Sequence, residues 1–320
     1  MNDAAVTPEK EEEVKKHLVF VANPFSGTRK KNNLSEVIEK FLDHTIYTYE
    51  VKFTQAPGHA TLLASEAANH AAFAVIAVGG DGTINEVAGG LLGTETALGL
   101  LPYGSGNGFA YHLGIRRSIQ KAFEVINRGH SQWIDTATAN GKLFLNVAGL
   151  GLDATVAYKT KFKSRRGFLP YFLQTIRESI GFKYMDLRIE CPQGFTQGTT
   201  SETSDVQCKN WHGSYAMAVI ANGSVYGYGF YIAPAAKLSD GLFDVLLVKK
   251  VPVFRYVLLA TRMLNRSFHQ SPIVEYFRTP EIRIEIVHPE YAHLDGEGYP
   301  AESSTDYKIS KASMRILSYG

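Results

Sequence analysis

From His17 to about Arg128 the chain alternates between short apolar runs and longer segments of helical period, and this alternation restricts the fold more than any other feature. The runs "HLVFVANP", "TYEVKFT", "FAVIAV" and "ALGLLPY" read as strands, and "LSEVIEKFLDH", "HATLLASEAANHA", "TINEVAGGLLG" and "SIQKAFEVINRG" read as helices. Strands and helices in turn predict a mostly parallel sheet covered on both faces. Glycine-rich turns follow three of the strands, after Pro24, Val78 and Tyr103. Ligands of open α/β sheets bind at the carboxyl ends of strands, so three such loops point to one shared site.

After about Gln132 the pattern changes. "WIDTATANGKLFLNVAGLG" reads as two strand-like runs joined at Asn140-Gly141, a two-residue hairpin signal. "YMDLRIEC", "YAMAVIA", "FDVLLV" and the alternating "IRIEI" follow with few helices between them, while "VFRYVLLATRML" reads as one helix and "PQGFTQGTTSETSDVQ" as a polar surface loop. The expected organisation is an α/β domain over 16–132, completed by 306–320, and a β-rich antiparallel domain over 133–305, with the site in the cleft between them.

At 320 residues, 45% of them apolar, the chain has room for two cores. Its 33 basic and 31 acidic side chains nearly cancel, so overall charge gives no argument for a nucleic-acid partner. Two cysteines, Cys191 and Cys208, are too few for a disulfide framework and suggest a reducing, cytoplasmic setting. The segment "MNDAAVTPEKEEEVKK" lacks an apolar secretory core, and no run reaches the roughly 18 apolar residues of a spanning helix. Any membrane contact is then expected at the surface.

Three loops carry the chemistry. "NPFSG", Asn23 to Gly27, sets small residues and the Ser26 hydroxyl after a strand, as a phosphate-binding turn or an ordinary βα turn does. "PYGSGNGFA" repeats the arrangement, with Ser105 and Asn107 among Gly104, Gly106 and Gly108. The middle loop, Gly79-Gly80-Asp81-Gly82-Thr83, places a carboxylate where a phosphate cradle should repel one. Asp81 fits if a divalent cation bridges it to phosphates or if it handles the proton of an attacking hydroxyl; the plainer alternative is a helix cap. Glu86, on the same helix, reads as a dipole-compensating or supporting group.

"NPFSG", "GGDGTINEV" and "GSGNGFA", in this order and spacing, resemble the diacylglycerol kinase catalytic domain superfamily, which includes sphingosine kinases and soluble bacterial lipid kinases. The second half is similar to it in "NVAGLGLDATV", "ANGSVYGYGFYIAPAAKLSDGLFDV" and "DGEGYP". Gly108, and Ser105 in a "GSGN" block, depart from many bacterial members, which carry Asp and Thr there; this blurs the acceptor.

The resemblance implies an ATP- and Mg²⁺-dependent lipid kinase acting on a hydroxyl of a membrane lipid such as diacylglycerol or a long-chain base. Asn23, Ser26, Gly27, Thr54, Gly79, Gly80, Gly82, Thr83, Gly104, Ser105, Gly106, Asn107 and Glu297 would surround the nucleotide, with His59 near it. Asp81 and Asp295 would carry the acid/base work, either one being the base. Asp240, with the carbonyls of Lys237 and Leu242, matches a structural metal loop. Asp153 and the basic Arg165 and Arg166 would face the acceptor or the phosphates, ahead of an apolar stretch with Phe168, Tyr171, Phe172 and Ile176. The implied setting is the cytoplasm, with transient contact at the inner membrane face, and an exposed strand of the β-rich half could pair with a second copy. An NAD kinase-like enzyme and a catalytically silent nucleotide- or lipid-binding module are the alternatives.

Overall fold

The computed structural model describes residues 14–24, 33–161, 174–175, 177–197 and 210–319. The first half runs β1 (Lys16–Ala22), α1 (Leu34–Phe41), β2 (Tyr47–Phe53), α2 (His59–Asn69), β3 (Ala74–Gly79), α3 (Asp81–Leu91), β4 (Ala97–Pro102), α4 (Gly108–His112) and α5 (Ile119–Arg128). Strands β1 to β4 are parallel in the order β2-β1-β3-β4. Every residue of β3 and β4 is buried, which is why these segments are apolar throughout rather than alternating. Strand order reverses between β1 and β3, so the loops after β1 and β3 open on either side of the crevice where such sheets bind ligands.

The second half contains β5 (Ser131–Ala139), β6 (Lys142–Phe144), β7 (Val147–Gly151), α6 (Leu152–Lys161), β8 (Met185–Glu190), β9 (Thr196–Gln197), β10 (Asn210–Ala221), β11 (Val225–Gly227) and β12 (Phe230–Tyr231). It continues with β13 (Phe243–Lys249), α7 (Val253–Leu264), β14 (Val274–Thr279), β15 (Glu281–Ile286), β16 (Tyr291–Leu294), β17 (Glu297–Pro300) and β18 (Ser304–Leu317). The mostly parallel α/β half and β-rich half are those expected from the sequence. Strands β10 and β13 alternate between two cores. Ala218, Ile220, Val245 and Leu247 face one, while Met217, Val219, Leu246 and Val248 face the other, which Leu259 of α7 closes.

Asn140 (φ 47°) and Gly141 (φ 79°) turn β5 into β6 as the dipeptide predicts. The run after them is not one strand: β6 stops at Phe144, and β7 leaves to pair with β10 and β16. The polar segment starting at Pro192 is also not all loop, since Thr196–Gln197 pairs with β14; the rest of it from 198, and Cys208, lie outside the described residues. Strand β18 pairs antiparallel with β15 and β5, and its end meets β4 in parallel at Ile316↔Leu98. Met314 and Ile316 thereby enter the core of the first half, while Tyr307 enters that of the second. Among the described residues no helix is long and apolar enough to cross a membrane.

Candidate active site

The loop after β3 enters α3 through Gly80, which is extended, so Asp81 is the first helical residue. Its carboxylate does not cap its own helix. It reaches across to α4, where Oδ2 accepts the Gly108 N–H (3.2 Å) and Oδ1 the Phe109 N–H (3.3 Å). Burial pushes its pKa up to about 6, helped by the nearby charge of Asp295 and opposed by the α4 amides. The two glycine loops touch: a Cβ on Gly104 would strike Gly80 Cα, and one on Gly106 would lie 3.6 Å from Asp81 Oδ2. Side chains are thus excluded from the floor of the cleft, as close approach to phosphates requires. Thr83 folds over Gly79, and Ser105 stands partly exposed at the mouth. Asn107, left-handed (φ 51°) and buried, donates to the Gly104 carbonyl (2.8 Å), and its Oδ1 has no hydrogen-bond partner among the described residues. That oxygen suits a hydroxyl, water or cation.

Asp295 sits in the β16–β17 turn with Gly296, both at positive φ (50° and 83°), the conformation of an Asp-Gly hairpin. Its Oδ2 accepts from Asn85 Nδ2 (2.9 Å) and Leu145 N (2.8 Å), and its Oδ1 from Asn146 N (2.9 Å) and Val147 N (3.0 Å). Leu145 and Asn146 follow directly on β6, so the clasp begins where that strand stops. Four donors fill the roughly four lone-pair positions of a carboxylate, leaving none aimed at an incoming hydroxyl. In this geometry Asp295 is a clasp that ties α3 to the β-rich half. Glu297, two residues on, is exposed, and its Oε1 would lie 3.3 Å from a Cβ on Gly82. Glu297 thus stands beside the loop that carries Asp81, whose own carboxylate turns to the loop of Gly106 and Gly108.

Asp153, at the start of α6, is buried rather than open to a head group. Its Oδ2 accepts from the Tyr226 hydroxyl (2.5 Å) and lies 3.1 Å from His293 Nε2, while Oδ1 accepts the Ala154 N–H (2.8 Å). His293 Nδ1 accepts the Gly296 N–H (3.4 Å), which puts the ring proton on Nε2 toward Asp153. Asp153 is therefore connected, through His293, to the turn that carries Asp295. Tyr226 belongs to the β11–β12 hairpin, whose Gly227 packs on Gly106 and whose Tyr228 N–H donates to the Gly106 carbonyl (3.3 Å). His112 of α4 holds the same hairpin by accepting the Ser224 N–H at Nδ1 (3.0 Å), and burial pushes its pKa down to about 4.

The Asp240 loop differs from the expected cation site. Asp240 Oδ1 accepts the Leu242 N–H (3.1 Å), and Oδ2 accepts from Arg278, which is 7% exposed and lies 3.6 Å from fully buried Asp244. Lys237 is exposed, and the loop is held instead by Asp135, whose carboxylate accepts the Gly241 and Ala312 amides (2.7 and 2.8 Å). A guanidinium already supplies positive charge to the Asp240 carboxylate, which leaves that side chain paired without a divalent ion. Nucleotide-free protein is accordingly expected to melt within about 1 °C of the same temperature in Mg²⁺, Ca²⁺ or chelator, whereas Arg278→Met, which strands two carboxylates, costs about 3–5 kcal/mol. A metal-dependent rise in Tm that Asp240→Asn removes would contradict this.

The remaining expected residues stand around the same sheet ends. The Asn23 N–H donates to Val78 O (3.3 Å), and buried Thr54 donates from its N–H to Ala22 O (2.9 Å). His59 Nδ1 accepts the Gln55 N–H (3.0 Å), and Glu86 caps α2 by accepting the Ala60 N–H (3.2 Å). Ser26, Gly27, Arg165, Arg166, Phe168, Tyr171, Phe172 and Ile176 lie outside the described residues. Sequence reasoning missed Asn85, Asn146, Tyr226 and His293. Only Asn85 left a signal, standing four residues after Asp81 on the same helix face.

Comparison with known proteins gives the family and the fold. The diacylglycerol kinase catalytic domain matches residues 17–139, and the YegS C-terminal NAD kinase beta sandwich-like domain matches residues 146–317. A diacylglycerol kinase of Bacillus subtilis (strain 168) is 31% identical over 284 residues, covering 87% of this chain and 88% of that protein. A probable lipid kinase, YegS-like, of Chromohalobacter salexigens is 30% identical over 253 residues, covering 77% and 76%. The crystal structure of a putative diacylglycerol kinase from Bacillus anthracis str. Sterne shares the fold, with a TM-score of 0.72 at 23% identity over 95% of this chain and 97% of that one. With both halves matched in order and the glycine loops meeting at Asp81, the chain belongs to the diacylglycerol kinase catalytic domain family of lipid kinases.

Proposed function

We propose that the protein transfers the γ-phosphoryl group of ATP to a hydroxyl of a membrane lipid, diacylglycerol and long-chain bases being the leading acceptor types. The observation that carries this reading is the close packing of two glycine loops around the Asp81 carboxylate, with Glu297 beside Gly82. Gly80, Gly82, Gly104 and Gly106 offer the close approach that phosphates need, with Ser105 and Asn107 as side-chain contacts. Asp81 would hold Mg²⁺, whose charge offsets that of the phosphates when bound. Glu297 is the group exposed to the cleft that can receive the hydroxyl proton, while Asp295 fixes the turn that aims it. Asp153, held by Tyr226 and His293, steadies the turn that carries Asp295.

Because the Asp81 carboxyl titrates near 6, its metal-holding form is lost as pH falls through that value. The kcat/KM profile is therefore expected to rise through about pH 6 and level off above it, and a rate independent of pH between about 5 and 8 would contradict the assignment. The acceptor is tested by ADP release on detergent-dispersed diacylglycerol, sphingoid base and phosphatidylglycerol, with NAD and no acceptor alongside. Turnover on a lipid supports the reading and identifies its head group. Turnover on NAD alone, or nucleotide binding with no turnover on any acceptor, overturns it.

A further inference from the structure

Strands β7 and β16 pair so that His293 stands opposite Gly149. The bond from His293 to Asp153 crosses the space that a side chain at 149 would fill, and a Cβ there would strike both Asp153 Oδ2 and His293 Nε2. The glycine is needed for that room, since its backbone is not left-handed. Asp153 is 5% exposed and His293 is 3% exposed, and both carboxylate oxygens and both ring nitrogens have partners within the protein. Neither side chain has the exposure to touch a nucleotide or an acceptor.

Both ends of this chain of bonds reach the site. At one end the Tyr226 hydroxyl donates to Asp153 (2.5 Å), and its ring packs edge-on against His293 with centroids 5.9 Å apart. The hairpin that carries Tyr226 is seated on the glycine loop after β4: Tyr228 N–H donates to the Gly106 carbonyl (3.3 Å), and Gly108 leaves room for the carbonyls of Val225 and Tyr226. At the other end His293 Nδ1 accepts the Gly296 N–H (3.4 Å), in the turn between Asp295 and Glu297. A buried group bonded at each step transmits position because no link can swing without leaving a polar atom unpaired. The path therefore joins the loop beside Asp81 to the residue that precedes Glu297.

We propose that Tyr226, Asp153 and His293 are positioning residues, a relay that holds the turn carrying Glu297 in register with the glycine loop at Gly106. The kinetic role rests on the lipid kinase reading; the relay itself does not. Amide hydrogen exchange at Gly296 in the full chain, without nucleotide or lipid, reads the relay directly. His293→Leu removes the acceptor of that amide and should speed its exchange about tenfold, and Tyr226→Phe, acting only through Asp153, about threefold. Tyr226→Phe should add nothing in a His293→Leu background, because the relay is already cut. Tyr276→Phe takes a hydroxyl from fully buried Asp244, a matched bond outside the relay, and should leave Gly296 as in wild type. On detergent-dispersed lipid both relay variants should lower kcat about tenfold and keep the KM for ATP within about twofold. Wild-type exchange at Gly296 in His293→Leu or Tyr226→Phe, or equal acceleration by Tyr276→Phe, would overturn the relay. A Tyr226→Phe enzyme whose KM for ATP rises at unchanged kcat would overturn the positioning role by making the hydroxyl a nucleotide contact. Should wild type turn over no lipid, the lipid kinase reading fails while the exchange series still decides the relay.

Discussion

Asp81→Asn is expected to lower phosphoryl transfer by at least about a thousandfold while leaving the protein as stable as wild type at neutral pH. Loss of rate follows because the amide keeps the size and one of the two contacts to α4 but removes the negative charge that would hold Mg²⁺. Retention of stability follows from the sign of the titration. The Asp81 carboxyl is raised from 3.8 to about 6 in the fold, so its stabilising contribution is full below about 4 and is lost as pH rises through 6. At neutral pH the wild-type charge is therefore a liability to the fold, and removing it offsets the loss of one acceptor for the α4 amides, so Tm should stay close to wild type. Steady-state kinetics and a melt on the same preparation check both halves. An active variant, or an inactive one that melts well below wild type, would contradict the assignment.

Asp295→Ala is expected to do the opposite to stability, costing about 3–5 kcal/mol in denaturant unfolding along with activity. Its carboxylate satisfies the amides of Leu145, Asn146 and Val147 together with Asn85, and alanine leaves all four donors without that acceptor. Asp295→Asn should fall between, because one end of an amide donates and so opposes the N–H groups aimed at it. This separates a clasp from a base. Were Asp295 the base, Asp295→Asn would lose turnover with an unchanged unfolding curve, as Asp81→Asn does. A melting temperature equal to wild type in Asp295→Ala would rule out the clasp.

Local pattern explains what the sequence revealed. Apolar runs of β3 and β4, the helices between them and the turn at Asn140-Gly141 are each set by residues close together in the chain, so period and turn chemistry were enough. The Asp81 loop was legible because a carboxylate inside a glycine-rich turn demands a reason. What stayed hidden depended on partners far along the chain. "LDGEG" reads equally as an Asp-Gly turn and as a catalytic carboxylate, and the amides that decide between them lie 148 to 150 residues away. Nothing local to Asp153 shows that Tyr226 and His293, 73 and 140 residues distant, bond to it. Nothing local to Asp240 marks its pairing with Arg278, 38 residues later on β14.

The most direct measurement is transfer of label from γ-labelled ATP into organic-extractable product, using diacylglycerol or sphingoid-base micelles, Mg²⁺ and purified protein, with Asp81→Asn beside wild type. The account predicts labelled lipid that requires both the micelles and Asp81. Label that stays in the aqueous phase as a phosphorylated small molecule such as NADP, or labelled lipid formed equally by Asp81→Asn, would contradict it.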